Sequence, residues 1–252
     1  MTRTIPTYKR LAMNSLREQL QYPILVFLFI EALSIAISVI FSLLTAGSST
    51  YAIGMQLITS VILTLVLYVL TSGESYLYLN LARGKKVQFS DVFYFFKHHP
   101  DRVILASIPL TLLSTASSYT VTLLLSDALV ALTAGETYTP DTTLLLITAL
   151  LFVITFFMNL FFYFYTQLLA DHDTLGGFAS LKESVLLLRG HKGRLFLLLL
   201  SFIGWNLLAV VTCGLIYIWL HPYLQTSITY FYLDITGELD NPVTAQEESP
   251  LS

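Results

Sequence analysis

The sequence predicts an all-α polytopic membrane protein with six transmembrane helices, paired as three hairpins, and both termini in the cytoplasm. Three observations lead there. The chain of 252 residues is 55% hydrophobic and only 12% charged, whereas a soluble domain carries about 25% charge; its mean hydropathy is +0.72. Several charge-free apolar runs approach the ~20 residues that cross a bilayer. All thirteen Lys and Arg residues precede the first run or fall in or beside alternate connections. They are Arg3, Lys9, Arg10 and Arg17, then Arg83, Lys85, Lys86, Lys97 and Arg102, then Lys182, Arg189, Lys192 and Arg194. Cations confined to one side mark a cytoplasmic face. The other side carries only Asp127, Glu136 and Asp141, read as solvated loop charges.

The expected spans follow from apolar length and charge-free interiors. The first is Pro23 to Leu44, too long for the ~7–15 residue core of a signal peptide, so it reads as a retained span. A small polar turn, 45–50, leads to the second, Ala52 to Leu70, with room for the helix to continue to Leu81. The third is Val103 to Leu125, followed by a Thr-, Gly- and acid-rich loop near 134–142. The fourth is Thr143 to Leu169, the fifth Leu195 to Val211, and the sixth Leu215 to Ile235. Thr212-Cys213-Gly214 is the break between the last two, and Gly214 permits a tight turn there. These elements make one membrane domain, 1–236. The acidic stretch 237–252, with little apolar content, is expected to be disordered. The single cysteine, Cys213, rules out an internal disulfide framework.

Short amphipathic stretches precede three of the spans. Residues 8–20 set Leu11, Met13, Leu16 and Leu20 against Lys9, Arg10, Arg17 and Glu18. Residues 90–97 open on a Ser90-Asp91 N-cap, with Phe89 stapled onto Tyr94. Residues 178–188 repeat apolar side chains at helical spacing. Such helices lie among headgroups with their apolar faces down. Arg17, Lys97 and Arg189 each stand six residues before a span, which suggests three repeated hairpins. The alternative is that every inner loop needs a cation near the headgroups.

Glu31 is the most unusual residue. It lies eight residues inside the first span, roughly 12 Å deep at ~1.5 Å per residue. A carboxylate near the midplane is costly and marks a functional site by default. Similar depth estimates bring Asn159 and Gln225 near it, with Asn206 somewhat further out, as a midplane polar cluster. One reading is a proton- or solute-linked site; the other is a neutral Glu31 hydrogen-bonded to an amide and holding the bundle together. Small hydroxyl residues of the third span, Ser107 to Ser118, suit close helix packing, with lining of a polar cavity as the alternative, and the tyrosines near the inner end of the aromatic fourth span suit an interfacial belt. Asp171-His172-Asp173 reads as a loop at a helix start rather than metal ligands. His99-Pro100-Asp101 lacks the soluble hairpin that would make it a co-chaperone signature. No phosphate loop, metalloprotease helix or nucleophile elbow occurs. The basic loops are explained by topology, so no nucleic acid, cofactor or metal is expected.

Two stretches carry a resemblance. One is Leu81-Ala-Arg-Gly-Lys-Lys-Val-Gln-Phe-Ser-Asp-Val-Phe93, continuing to Phe96-Lys97. The other is Ser180-Leu-Lys-Glu-Ser184 and Arg189-Gly-His-Lys192, then Leu200-Ser-Phe-Ile-Gly-Trp205, Thr212-Cys-Gly-Leu215, Trp219-Leu220 and Pro222-Tyr223. Over roughly residues 8–235 they resemble the bacterial integral-membrane family called domain of unknown function 975. The chain departs from the pattern at Cys213, which precedes the expected glycine-hydrophobic pair. The resemblance implies a multi-pass protein of the bacterial plasma membrane and supplies no catalytic residue or substrate. A more distant similarity is to the membrane segment accompanying some glycerophosphodiester phosphodiesterases, whose soluble barrel is absent here.

Two functional expectations follow. The first is a non-catalytic accessory, scaffold or regulatory component, meeting anionic lipid headgroups or a membrane-protein partner through Arg17, Lys97, Arg189, Lys192 and Arg194. The second is a small transporter or permease using Glu31 and the midplane amides. Both rest on the one-sided distribution of cations. Cysteine labelling or reporter fusions at Lys85 and Lys192 are expected to report the same face of the membrane; opposite faces would remove the architecture.

Overall fold

The structure is a computed structural model, which describes residues 3–44, 50–135 and 137–240. The expected turn at 45–49 and the tail beyond 240 lie outside the described residues. Among those described, all regular structure is helical. Helix α1 (Ile5–Gln19) leads into α2 (Gln21–Leu44) and the long α3 (Thr50–Ala82). A 3-10 turn (Phe89–Phe93) and the short α4 (Tyr94–Lys97) precede α5 (Pro100–Ala134). Then come α6 (Thr142–Phe161), α7 (Tyr165–Asp171), α8 (Gly177–Leu187), α9 (Lys192–Leu200), α10 (Ile203–Val211) and α11 (Tyr217–Ile235).

Five stretches are long and apolar enough to cross a membrane: Gln21–Ile40, Ile58–Ala82, Pro100–Ala134, Thr142–Asp171 and Lys192–Val211. Two are broken where the sequence reading drew one span. The fourth is α6 plus α7, interrupted at 162–164, and the fifth is α9 plus α10, interrupted at Ser201-Phe202. Helix α5 runs nine residues beyond the expected end at Leu125 and stops at Gly135, whose φ of 72° closes the helix in the left-handed conformation that glycine adopts without a Cβ penalty.

The expected sixth span is helical but is built as the centre of the bundle. Helix α11 buries Leu220, Pro222 and every residue from Thr226 to Leu233. Its hydroxyl side chains are satisfied inside the helix. Thr226 donates to the Pro222 carbonyl at 2.7 Å, Ser227 to Tyr223 at 2.7 Å and Thr229 to Gln225 at 2.9 Å. Polar groups bonded in this way can be buried without the penalty of an orphan donor. Around α11 pack α1, α2 and α3. Tyr8 meets Phe231 edge-on at 5.7 Å, and the Tyr230 hydroxyl donates to the Ala82 carbonyl at 3.1 Å.

Helix α1 was expected at the headgroups. It buries Tyr8, Ala12 and Leu16 against the bundle, because its i, i+4, i+8 stripe faces α11. Near Ser90 the N-cap is Gln88, two residues before the expected one, with Asp91 completing it. The Gln88 backbone N–H donates to Asp91 at 2.9 Å in a capping box. Phe89 meets Phe29 and Phe93 rather than Tyr94. Residues 237–240, placed by composition in the acidic tail, pack on the bundle through Leu239 and two ion-paired carboxylates.

Two glycines set helix spacing. A Cβ on Gly73 of α3 would lie 1.9 Å from the Val92 carbonyl oxygen, and one on Gly177 of α8 would lie 2.3 Å from that of Arg102. Neither neighbour is a flexible side-chain tip, so backbone must move. Overpacking of this kind costs about 1–3 kcal/mol or more. Gly73→Ala and Gly177→Ala are therefore expected to lower the detergent-solubilised Tm. Gly204→Ala in α10, where nothing lies within 4 Å, should leave it level or raise it through helix propensity.

Candidate functional site

Two cavities lie against α11. The first, about 240 Å³, is bounded by α3, α5, α6, α7 and α11. Its centre is Glu74, a buried carboxylate in the C-terminal half of α3. Tyr78, one turn later and so on the same face, donates its hydroxyl to Glu74 Oε1 at 3.2 Å. His221 reaches in from α11, with Nδ1 3.4 Å from the same oxygen. That approach is poorly aligned, so the buried Nδ1 makes no hydrogen bond. On the other side of the ring, Nε2 lies 3.5 Å from the Gln225 amide nitrogen. Hydroxyl and amide groups complete the walls. Ser75 and Thr166 share a hydrogen bond at 2.9 Å, and Thr166 donates to Gln167 at 2.9 Å.

The second cavity, about 770 Å³, opens between α2, α10 and α11. Its lining is mostly apolar, with Glu31, Asn206 and Cys213 among the exceptions. Aromatic rings stand between the two spaces. Phe27, in the wall of the larger cavity, stacks on His221, in the wall of the smaller one, with centroids 4.6 Å apart. Tyr217 packs beside both rings, at 5.8 Å from Phe27 and 5.7 Å from His221.

The expected midplane cluster is thus divided. Glu31 and Asn206 line the larger cavity, and Asn159 and Gln225 the smaller. Asn206 and Asn159 both donate back to their own helices, to Phe202 at 3.2 Å and Thr155 at 2.8 Å. Glu74 and His221 were missed. Glu74 lay past the expected end of the second span, where an acid resembles a headgroup-level charge. The available signal was the Glu74–Tyr78 spacing and a histidine beside a helix-interior proline.

The basic residues divide as well. Arg17, Lys97 and Arg189 are exposed. Lys192 is half-buried over the Phe161 ring at 4.1 Å. Arg194 is turned inward. Its Nη2 is 2.9 Å from Asp234 and also donates to the Tyr8 hydroxyl. Arg3 adds a contact to Asp234 at 3.2 Å, and Tyr8 donates to it at 2.7 Å. Burial, then the bond to Asp234, raises the Tyr8 hydroxyl above the ordinary tyrosine range. A second cluster joins Arg83 to Glu238 and Asp171, both at 2.7 Å, with Tyr232 donating to Asp171 at 2.6 Å. Burial would lower Arg83, but the two carboxylates outweigh it and raise its affinity for the proton. Asp171 and Asp173 of the suspect tripeptide have separate partners, the latter accepting from Tyr94 at 3.2 Å. Burial and Asp173 push the Tyr94 hydroxyl up to about 12.

Among the described residues, all-α structure with five stretches of membrane length, two cavities against the central helix and clustered ion pairs defines a multi-helix protein compatible with a bilayer. Residues 2–238 match the family described as protein of unknown function (DUF975), and the chain belongs to it. No curated protein and no solved structure matches the chain.

The Asp234 cluster makes a stability prediction. Its carboxylate is 4% exposed and holds two guanidinium groups, whereas Asp240, paired with Arg3, is 48% exposed. Charge-assisted hydrogen bonds contribute about 1.5–3 kcal/mol when shielded and little when solvated. Asp234→Ala is expected to lower the Tm in detergent clearly more than Asp240→Ala; equal effects would contradict the central role of this carboxylate.

Proposed function

We propose that the chain is a non-catalytic membrane permease that takes up a small polar solute in the cavity around Glu74 and His221, with its basic residues on the cytoplasmic side. The observation that carries this reading is the pairing of a buried carboxylate with an imidazole whose Nδ1 has no hydrogen-bond partner, in a cavity walled by hydroxyls and amides. An ionisable residue inside a membrane-length helix is expensive and is retained where a pathway or ligand needs it. The space of about 240 Å³ suits a solute displacing roughly eight waters at ~30 Å³ each. Glu74 supplies a carboxyl group that can bind or release a proton, His221 a donor or acceptor by tautomer, and Gln225 and Asn159 neutral hydrogen bonds.

A second reading keeps one observation of its own: Arg17, Lys97 and Arg189 are exposed and unspent on the internal ion pairs described above. In that reading the chain is an accessory protein held against anionic headgroups, or against a membrane partner, by those residues with Lys192.

Proteoliposomes loaded with a pH-sensitive dye separate the two. Addition of one member of a panel of amino acids, small amines and organic acids is expected to move protons in wild type. Glu74→Gln should reduce that signal about tenfold or more, as expected when the one group that exchanges the proton in a buried site is replaced by an amide that cannot. Arg189→Glu should leave it intact. Silence across the panel, together with loss of anionic-vesicle binding in Arg189→Glu, would favour the accessory role.

A further inference from the structure

The larger cavity has a chemistry different from the smaller one. We propose that the groove around Glu31 binds a lipophilic organic cation: an ammonium or phosphonium centre carried on an apolar body. The argument is independent of the solute reading for Glu74.

Charge complementarity comes first. Glu31 is exposed into the groove, and no Lys, Arg or His is among the groove's lining residues. A carboxylate without a counter-ion in a mostly apolar wall lacks only a positive charge. The neighbouring rings favour the same ligand. Phe27 and Tyr217 meet edge to face at 5.8 Å, and both line the groove beside Glu31. Aromatic faces attract cations through their quadrupole, most strongly where water is excluded. Asn206 spends its amide N–H on the Phe202 carbonyl, which leaves its oxygen to accept.

The other ligand classes fit less well. An inorganic cation such as calcium needs about six to eight oxygen ligands, and the groove supplies one carboxylate and one amide. An anion would meet the Glu31 charge with nothing to offset it. A neutral polar solute would lose its hydration against Ile35, Val210, Leu215 and Ile218. The volume of about 770 Å³ lies within the ~300–1,000 Å³ of pockets that take drug-sized ligands, so the cation's apolar body fits with its charge.

The chain carries its own reporter. Cys213, its only cysteine, is exposed and lines the groove. The test uses the full chain in phosphatidylcholine nanodiscs, with tetraphenylphosphonium as the probe. Equilibrium dialysis should show saturable binding, weakened about tenfold or more in Glu31→Gln, restored in part by Glu31→Asp and changed far less by Glu74→Gln. Maleimide labelling of Cys213 should slow severalfold with bound probe in wild type, but not in Glu31→Gln. Non-saturable partitioning, equal affinity in Glu31→Gln, or unprotected Cys213 would overturn the proposal. So would protection of Cys213 by phosphatidylethanolamine in the nanodisc without added probe, because the occupant would then be a bilayer lipid. Failure of the Glu74 permease test leaves each of these readouts intact, so the two ideas fail separately.

Discussion

One carboxylate ties together the parts of this chain that lie furthest apart in sequence. Asp234, at the end of the central helix, holds Arg3 and Tyr8 from the start of the chain and Arg194 from the start of α9. A few ångströms of salt bridge thus fix the azimuth of α11 against α1 and α9. Every polar group that α11 presents further along depends on that setting. The Arg83 cluster does the same for α3, α7 and the segment after α11. Charges shielded this way need several partners each to offset their lost hydration, and each cluster supplies a tyrosine as well as opposite charges.

Away from these clusters apolar contact dominates among the described residues, with a hydrogen bond between Ser117 and Thr155 at 2.9 Å joining α5 to α6. Helix α6 buries none of its residues and packs against α5. Leu125, Leu129, Val130 and Leu132 of α5, like Val210 and Val211 of α10, are largely exposed. In water such a surface would aggregate. In hydrocarbon it is the expected outer coat, because lipid tails are as apolar as leucine and give helices no hydrophobic reason to bury it. Tight packing is therefore concentrated where the polar groups are, around α11 and the inner parts of α3 and α7.

Much of this was legible in the sequence, and the remainder was hidden for identifiable reasons. Apolar run length located the helices, and the Thr212-Cys213-Gly214 break is a turn with both Cys213 and Gly214 at positive φ. Depth estimates grouped Glu31, Asn159, Asn206 and Gln225 as one midplane cluster, whereas Glu31 and Asn206 line one cavity and Asn159 and Gln225 the other. Depth is a height along a helix and carries no azimuth, so it could not separate the pair facing α2 from the pair facing α3. The hydropathy of 215–235 does not distinguish bilayer from protein surroundings, because aromatic and aliphatic residues satisfy both. Nor do the bonds of Thr226, Ser227 and Thr229 to the preceding turn, since exposed Thr122 and Thr133 make the same kind of bond. Arg194 could not be told from its exposed neighbours Arg189 and Lys192, because its partner lies forty residues away.

The stacked rings of Phe27 and His221 are a thin wall by the standards of a helical bundle. Both rings belong to side chains rather than backbone, so a substitution at Phe27 or His221 acts on the partition itself, whereas a change elsewhere in the bundle reaches it only through the packing between.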